Sequence, residues 1–395
     1  MHTPHPDPLW RRSLWATSAG GLFSLGYNQV IGLLVPLYLV SVGLNPFWIG
    51  VILSARSALS FLYAIHLGKL LDVVGVRRAM LGFSSFGAVL SLTYPLFDSV
   101  VPLVVLQLLC GVVAAVCWMA SQAAITKLAP GHARAMGLFS FFSSAGNFIG
   151  PLAAGFIWEH GGAWPAFVFM SVWLWAMFVA TLCLPPRRRA QPVPLSIGLF
   201  VPRLESYVAA LHLLAISAVR FVMCLTFLRI ASIAMLESFY AVLLGSKGFP
   251  ASTIGMLVGL CWLVSTPAAL LTAPAVARAG EEKVLSASTA LAIAAIAATP
   301  LFDSLPMLIV GATLFGLGQG LGFSLVISGA ARSLPPGMPG LAVGLRSTVN
   351  RAAGFVVPVV MGGLAQGLGL DWAFWISGAL LLVPIGMYAV LRKGG

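Results

Sequence analysis

The chain has 395 residues, of which 59% are hydrophobic and only 8% charged, with a formal net charge of +12. Soluble domains carry about 25% charged residues, so this chain cannot solvate its own surface in water and lipid must be its solvent. A soluble enzyme or nucleic-acid binder is thereby excluded, and the positive balance reads as basic residues gathered in the cytoplasmic loops of a membrane protein.

Residues 1–13 form a polar, cytoplasmic N-terminus, and the apolar run behind them is too long for a signal-peptide core and lacks a small-residue cleavage pattern. A helical span needs about 20 apolar residues, and breaks are marked by Gly, Pro and charge. On that basis twelve runs emerge, at roughly 14–41, 47–71, 79–97, 102–128, 135–158, 164–184, 217–245, 251–275, 285–302, 307–331, 341–366 and 372–391. Arginine and lysine fall almost wholly in alternate breaks, which predicts that both termini are cytoplasmic. The longest break, 185–216, holds Pro185-Pro186 and Arg187-Arg188-Arg189, and its second part reads as an interfacial amphipathic helix. It divides a six-helix bundle at 14–184 from a second at 217–391, with 392–395 as a cytoplasmic C-terminus. Cys110, Cys117, Cys183, Cys224 and Cys261 all lie within apolar runs without metal-ligand spacing, so they read as free thiols and no metal or cofactor is expected.

The halves repeat. Pro95-Leu96-Phe97-Asp98-Ser99 returns as Pro300-Leu301-Phe302-Asp303-Ser304, 205 residues later. At the same shift Gly111 lands on Gly316 and Ile49-Gly50 on Ile254-Gly255; at 207, Pro151 and Gly155 land on Pro358 and Gly362. A parallel repeat of two six-span halves is a transporter architecture with its substrate held near the midplane.

Two stretches carry mechanism. The loop after the second run reads Gly68-Lys69-Leu70-Leu71-Asp72-Val73-Val74-Gly75-Val76-Arg77-Arg78, and the fifth run holds Gly146, Gly150-Pro151 and Ala154-Gly155. Small residues four apart let helices approach closely, and an interior proline bends a helix. Over essentially its whole length the sequence resembles the major facilitator superfamily, and the fifth-run motif resembles its drug:proton-antiporter-like efflux branch. Val73 and Val76 depart from basic positions of that family's loop motif, Ala154 from a glycine of its fifth-span motif. The resemblance implies an all-α membrane protein, with twelve transmembrane helices forming two pseudo-symmetric six-helix bundles. It implies that Asp72, at the cytoplasmic end of span two, latches the halves near the positive N-terminus of span eleven. Gly68, Gly75, Arg77, Arg78 and the span-five residues Gly146, Gly150, Pro151 and Gly155 would share in gating. The family's antiporters often carry an arginine in span four, where this chain has Gln107, with Cys110 in place of the following glutamine; proton coupling by the usual relay is therefore not implied.

Ionisable residues inside spans are costly and are functional candidates by default. Here they are Arg56 in span two, Arg220, Arg229 and Glu237 in span seven, and Arg346 and Arg351 in span eleven. Arg56 and Arg351 lie about 13–15 Å into their helices at 1.5 Å per residue. Glu237 reads either as a structural ion-pair partner of Arg229 or Arg351, or as the proton-coupling carboxylate of a cavity with surplus positive charge. Arginine's bidentate fork suits carboxylate and phosphate, which points to an anionic or zwitterionic substrate held by Arg56, Arg229, Arg346 and Arg351. Asn28, Gln29, Trp118, Gln122, Tyr240 and Gln319 are expected to line the rest. The expected function is alternating-access, proton-coupled export of a small organic molecule by a monomer in the bacterial inner membrane; the alternative is an uptake permease for an organic anion. A membrane enzyme is disfavoured, since no catalytic cluster, phosphate loop or nucleophile motif occurs.

Overall fold

The computed structural model describes residues 8–63, 71, 73–185, 212–332 and 339–393. The first six helices are α1 (Pro8–Ser41), α2 (Pro46–Leu62), α3 (Val76–Thr93), α4 (Val100–Leu128), α5 (Ala133–Gly161) and α6 (Ala163–Leu182). In the second half, α7 runs from Ser217 to Ser246 with a π-turn at Leu236–Tyr240, and α8 runs from Ala251 to Ala279 through a short 3-10 turn at Ala269–Leu271. Then come α9 (Glu281–Ala297), α10 (Leu305–Arg332), α11 (Pro339–Leu368) and α12 (Leu370–Lys393). Each expected span has its helix. Among the described residues nine helices are long and apolar enough to cross a membrane. The other three have visible reasons: α2 and α9 have 17 residues each, α9 opening on two glutamates, and α5 carries serines, glycines and Asn147 on a packing face.

The N-terminal helix takes in Arg11 and Arg12, starting at Pro8 rather than beyond the polar segment. The interfacial helix expected within 185–216 falls mostly at 186–211, outside the described residues, as do Gly68 and Asp72 and hence the loop latch. Turn chemistry matches the breaks. Asn45 accepts a hydrogen bond from the Trp48 backbone N–H at 3.0 Å, with Pro46 in the first turn, a standard helix start.

The repeat reaches down to the backbone. Positive φ recurs at Gly43 (78°) and Gly248 (83°), and at Gly75 (88°) and Gly280 (83°), each pair 205 apart, and at Gly162 (76°) and Gly369 (96°), 207 apart. The 3-10 turn Tyr94–Leu96 likewise returns as Thr299–Leu301.

The repeat also builds the join between halves. On one side α5 packs on α8: an added Cβ at Gly155 would strike the Ala251 carbonyl oxygen, and one at Gly255 the Pro151 carbonyl oxygen. On the other side α11 packs on α2, where Gly362 faces the Pro46 carbonyl oxygen and Gly50 that of Pro358. These two seams are the same contact written twice, since 50, 46, 155 and 151 shift onto 255, 251, 362 and 358. Both lie at the end of the bundle away from the chain termini. The last stretch of α8, Thr272–Ala279, leaves α5 and packs on α9 and α10. On the α5–α8 side the halves are thus zipped at one end and part toward the end that carries the termini.

Glu159, at the zipped end of α5, accepts a hydrogen bond from the Ser252 backbone N–H in the first turn of α8 at 3.1 Å. This bond is a helix cap supplied by the other half; the Ser252 hydroxyl first, then this backbone N–H and the nearby His160, hold the carboxyl below its ordinary range. A depressed pKa stabilises the capped form above the ordinary carboxylate range, and the benefit is lost as pH falls through the lowered value. Acidifying that face should therefore widen the distance between spin labels at Asp98→Cys and Asp371→Cys, in a cysteine-depleted background. Glu159→Gln should flatten that pH response, and an unchanged response in the variant would remove Glu159 from the seam's control.

Candidate functional site

Six residues past Gly50 on α2 stands a charged centre. Arg56 of α2 forms an ion pair with Glu237 of α7, Arg56 Nη2 against Glu237 Oε2. The other carboxylate oxygen accepts from Gln29 Nε2 of α1 at 3.1 Å. Arg56 Nη1 also reaches the Asn28 carbonyl oxygen at 3.5 Å, a long contact. Glu237 is thus held from the opposite half by two residues, and its side chain keeps 14% exposure beside 15% for Arg56.

Local sequence explains the arrangement. Glu237 sits in the π-turn Leu236–Tyr240, a wide turn that interrupts the regular helix and recurs at functional sites. Gly32 of α1 faces it, and a methyl group there would lie 3.4 Å from the Glu237 Cβ. Gly111 of α4 presses on the Arg56 carbonyl oxygen, so only glycine lets α2 carry Arg56 so close to the first half's core. Arg351 of α11 lies close enough for its charge to act on both Arg56 and Glu237. The expected partner of Glu237 was Arg229 or Arg351; the carboxylate is instead paired across the halves with Arg56, because the α1–α7 crossing points it into the first half.

Arg229 belongs to a different cluster. It is 6% exposed, donates from Nη2 to the Gln319 carbonyl oxygen at 3.1 Å, and lies under the Phe323 ring at 5.4 Å. Gln319 Nε2 donates to Ser232 Oγ at 2.8 Å and toward the Arg229 carbonyl oxygen at 3.4 Å. Arg346 stands near enough for its charge to act on Arg229. Arg220 is exposed and bonds the Leu214 carbonyl oxygen at 3.4 Å.

The remaining candidates are dispersed. Gln122 is exposed on α4, while Trp118, one turn earlier, stacks on Phe139 at 6.0 Å. Tyr240 turns into the second half, lining a cavity of about 10 Å³ with Leu236, Cys261 and Phe315. Asn28 offers its carbonyl rather than its side chain to Arg56. Gly146 meets the Leu22 carbonyl oxygen and Gly150 packs near Gly26, so these two seat α5 on α1 inside the first half, whereas Pro151 and Gly155 form the seam. Gly75 caps α3 with positive φ, Arg77 donates to the Leu182 carbonyl oxygen at 3.4 Å, and Arg78 is exposed.

Sequence reasoning passed over a buried polar group in the first half. Gln107 has neither amide end paired, and one turn further along α4 the Cys110 thiol faces the buried Tyr27 and Tyr94 hydroxyls. Gln107 was visible in the sequence only as a departure from a motif, and Tyr94 immediately precedes the repeated Pro95 loop without standing out.

Among the described residues no group of three or more His, Cys, Asp or Glu could hold a metal ion. Comparison with known proteins agrees with the architecture. No curated protein matches this sequence. The fold is similar to that of the nucleoside transporter NupG in a mutant form (13% identity, TM-score 0.75, 94% of this chain and 99% of that one). It is similar also to the human organic anion transporter MFSD10 (TETRAN) (21%, 0.63, 96% and 99%). A third likeness is a bacterial homolog of the human lysosomal transporter Spinster, inward-facing and unoccupied (15%, 0.68, 98% and 96%). At these identities the structures speak for the fold alone. The sequence profile described as Major Facilitator Superfamily matches residues 17–221 and 222–393, nearly the whole length in two pieces. This chain, a multi-pass membrane transporter and not an enzyme, belongs to the Major Facilitator Superfamily.

Proposed function

We propose that this transporter works by alternating access and exports a small anionic or zwitterionic molecule in exchange for protons, with Glu237 as the proton-carrying group. The observation that carries the reading is the Arg56–Glu237 pair, which joins the two halves. A pair that spans the moving interface must be made in one state and strained or broken in the other. A proton on Glu237 or an acid group on Arg56 would each compete with it, which links both ligands to one conformational equilibrium. With Arg351 alongside, two guanidiniums face one carboxylate, so neutralising Glu237 leaves a centre that attracts an anion. Small-residue packing at Pro151 and Gly155, placed in a seam between halves, supports the antiport reading. The likeness in fold to an organic anion transporter is in keeping with it.

On this reading the bundles are 14–184 and 217–391, joined by 185–216, the protein acts as a monomer, both termini are cytoplasmic, and the membrane is a bacterial inner membrane. The zipped seams then face outward, and the α5–α8 side parts toward the cytoplasm. Proteoliposomes scanned with acidic, neutral and cationic compounds, with and without a pH gradient, test the proposal. Acidic compounds should move preferentially, and Arg56→Ala or Arg351→Ala should raise KM for them about tenfold or more, as loss of one charge-assisted contact predicts. Flux of acids unchanged in both variants would reject the anion assignment.

A further inference from the structure

Arg229 poses a problem that the Glu237 centre does not solve. A guanidinium keeps its proton in a protein, so Arg229 is a buried positive charge, with the half-buried Arg346 near enough for its charge to act on it. Among the described residues no carboxylate bonds either of them, and the single carboxylate deep in a span, Glu237, is taken by Arg56 and Gln29. A carbonyl oxygen and an aromatic ring offset part of the cost of the first charge. They do nothing for the repulsion from the half-buried Arg346 guanidinium, which the burial of Arg229 strengthens. The cluster is also short of hydrogen-bond partners, and the shortage has two signs. Arg229 Nε is a buried donor with no acceptor, and Gln319 Oε1 is a buried acceptor with no donor.

We infer that Arg229, Arg346 and Gln319 form an anion subsite separate from the Arg56–Glu237 pair, built for a small acid bearing a hydroxyl or ammonium next to its carboxylate. The carboxylate supplies the missing acceptor to Arg229 Nε and the missing negative charge to both arginines. The neighbouring O–H or N–H supplies the missing donor to Gln319 Oε1. Phe323 covers the Arg229 guanidinium yet is itself 52% exposed, so its ring can turn aside to admit the acid without opening the core. Eight residues separate Arg229 from Glu237 on α7, about 12 Å at the helical rise. Acid group and coupled proton therefore have different addresses. The inference deepens the transport reading and rests on it only for the identity of the acid as cargo.

The test is binding, read apart from transport. Detergent-purified protein is titrated with sodium lactate, sodium acetate, sodium phosphate and sodium chloride at matched ionic strength while Tm is followed. Lactate should raise Tm saturably and at lower concentration than acetate. Arg229→Gln should abolish the shift, and Arg229→Lys, which keeps the charge and loses the fork, should weaken it about tenfold. Glu237→Gln should retain the shift even though it loses proton-driven flux, so failure of the coupling proposal and failure of this site give different results. A saturable shift of equal midpoint in wild type and Arg229→Lys would overturn the subsite, as would one given equally by chloride. If phosphatidylglycerol alone raised Tm through Arg229, the anion would be a lipid phosphate and the soluble-acid assignment would fall.

Discussion

Glu237→Gln will abolish pH-gradient-driven accumulation while leaving exchange of substrate across the membrane measurable. The amide is nearly isosteric and can still accept from Gln29, so the π-turn and its contact with Gly32 are preserved. What is lost is the charge opposite Arg56. Removing one partner of a fully buried pair costs about 3–5 kcal/mol because the other charge is left stranded. Here both side chains keep about a seventh of their surface exposed, and water reaches them, so we expect roughly 1–3 kcal/mol. That loss falls on the zipped state, because the pair joins the two halves. At 1.36 kcal/mol per factor of ten, the zipped population should fall about 5- to 150-fold relative to the opposite state. The double variant Arg56→Gln with Glu237→Gln should regain most of the stability, since no charge is then stranded, but none of the coupling. A double-mutant cycle on Tm with parallel flux separates the roles. Coupling that survived in Glu237→Gln would show that the carboxylate is a structural partner and nothing more.

Most of the scaffold could be read in the sequence, because the physics that fixes it is local. Apolar run length gives the spans, and Gly43, Gly75 and Gly162 with their repeats at Gly248, Gly280 and Gly369 mark turns whose positive φ is met by residue type alone. Glycine and proline spacing in the fifth run foretold a close helix contact, and the structure places Gly155 and Pro151 in it. The pairing of charges was not legible in the same way. Glu237 and Arg56 are 181 residues apart, and their meeting depends on where α1 and α7 cross and how far the π-turn rotates the carboxylate. Nothing in local spacing encodes a π-turn. The same holds for Arg229: one turn of helix links Gln319 to Phe323, but only the packing of α7 on α10 shows that both attend the same arginine.

The second large effect is expected at the seams, where Gly50→Ala or Gly155→Ala should drive the protein out of the zipped state. A methyl group at Gly50 meets the Pro358 carbonyl oxygen, and one at Gly155 meets that of Ala251. Both obstacles are backbone atoms of the opposite half, in helices that cannot yield by turning a side chain. Overpacking of this kind costs typically 1–3 kcal/mol, and the simplest relief is for the halves to part, which rocking of one half on the other already provides. Each substitution should therefore shift the equilibrium about 5- to 150-fold toward the unzipped state, with modest loss of Tm. Two controls isolate the cause. Gly363→Ala sits beside the seam with nothing within 4 Å, and should change neither conformation nor Tm. Gly146→Ala collides with the Leu22 carbonyl oxygen inside the first half, so it should lower Tm without moving the halves apart. Spin labels at Asp98→Cys and Asp371→Cys, one on each half at the zipped end, read the difference directly. Because the two seams are copies related by the repeat, Gly255→Ala and Gly362→Ala should reproduce the shifts of Gly50→Ala and Gly155→Ala. A response confined to one seam would mean that the halves hinge about the other instead of rocking apart at both.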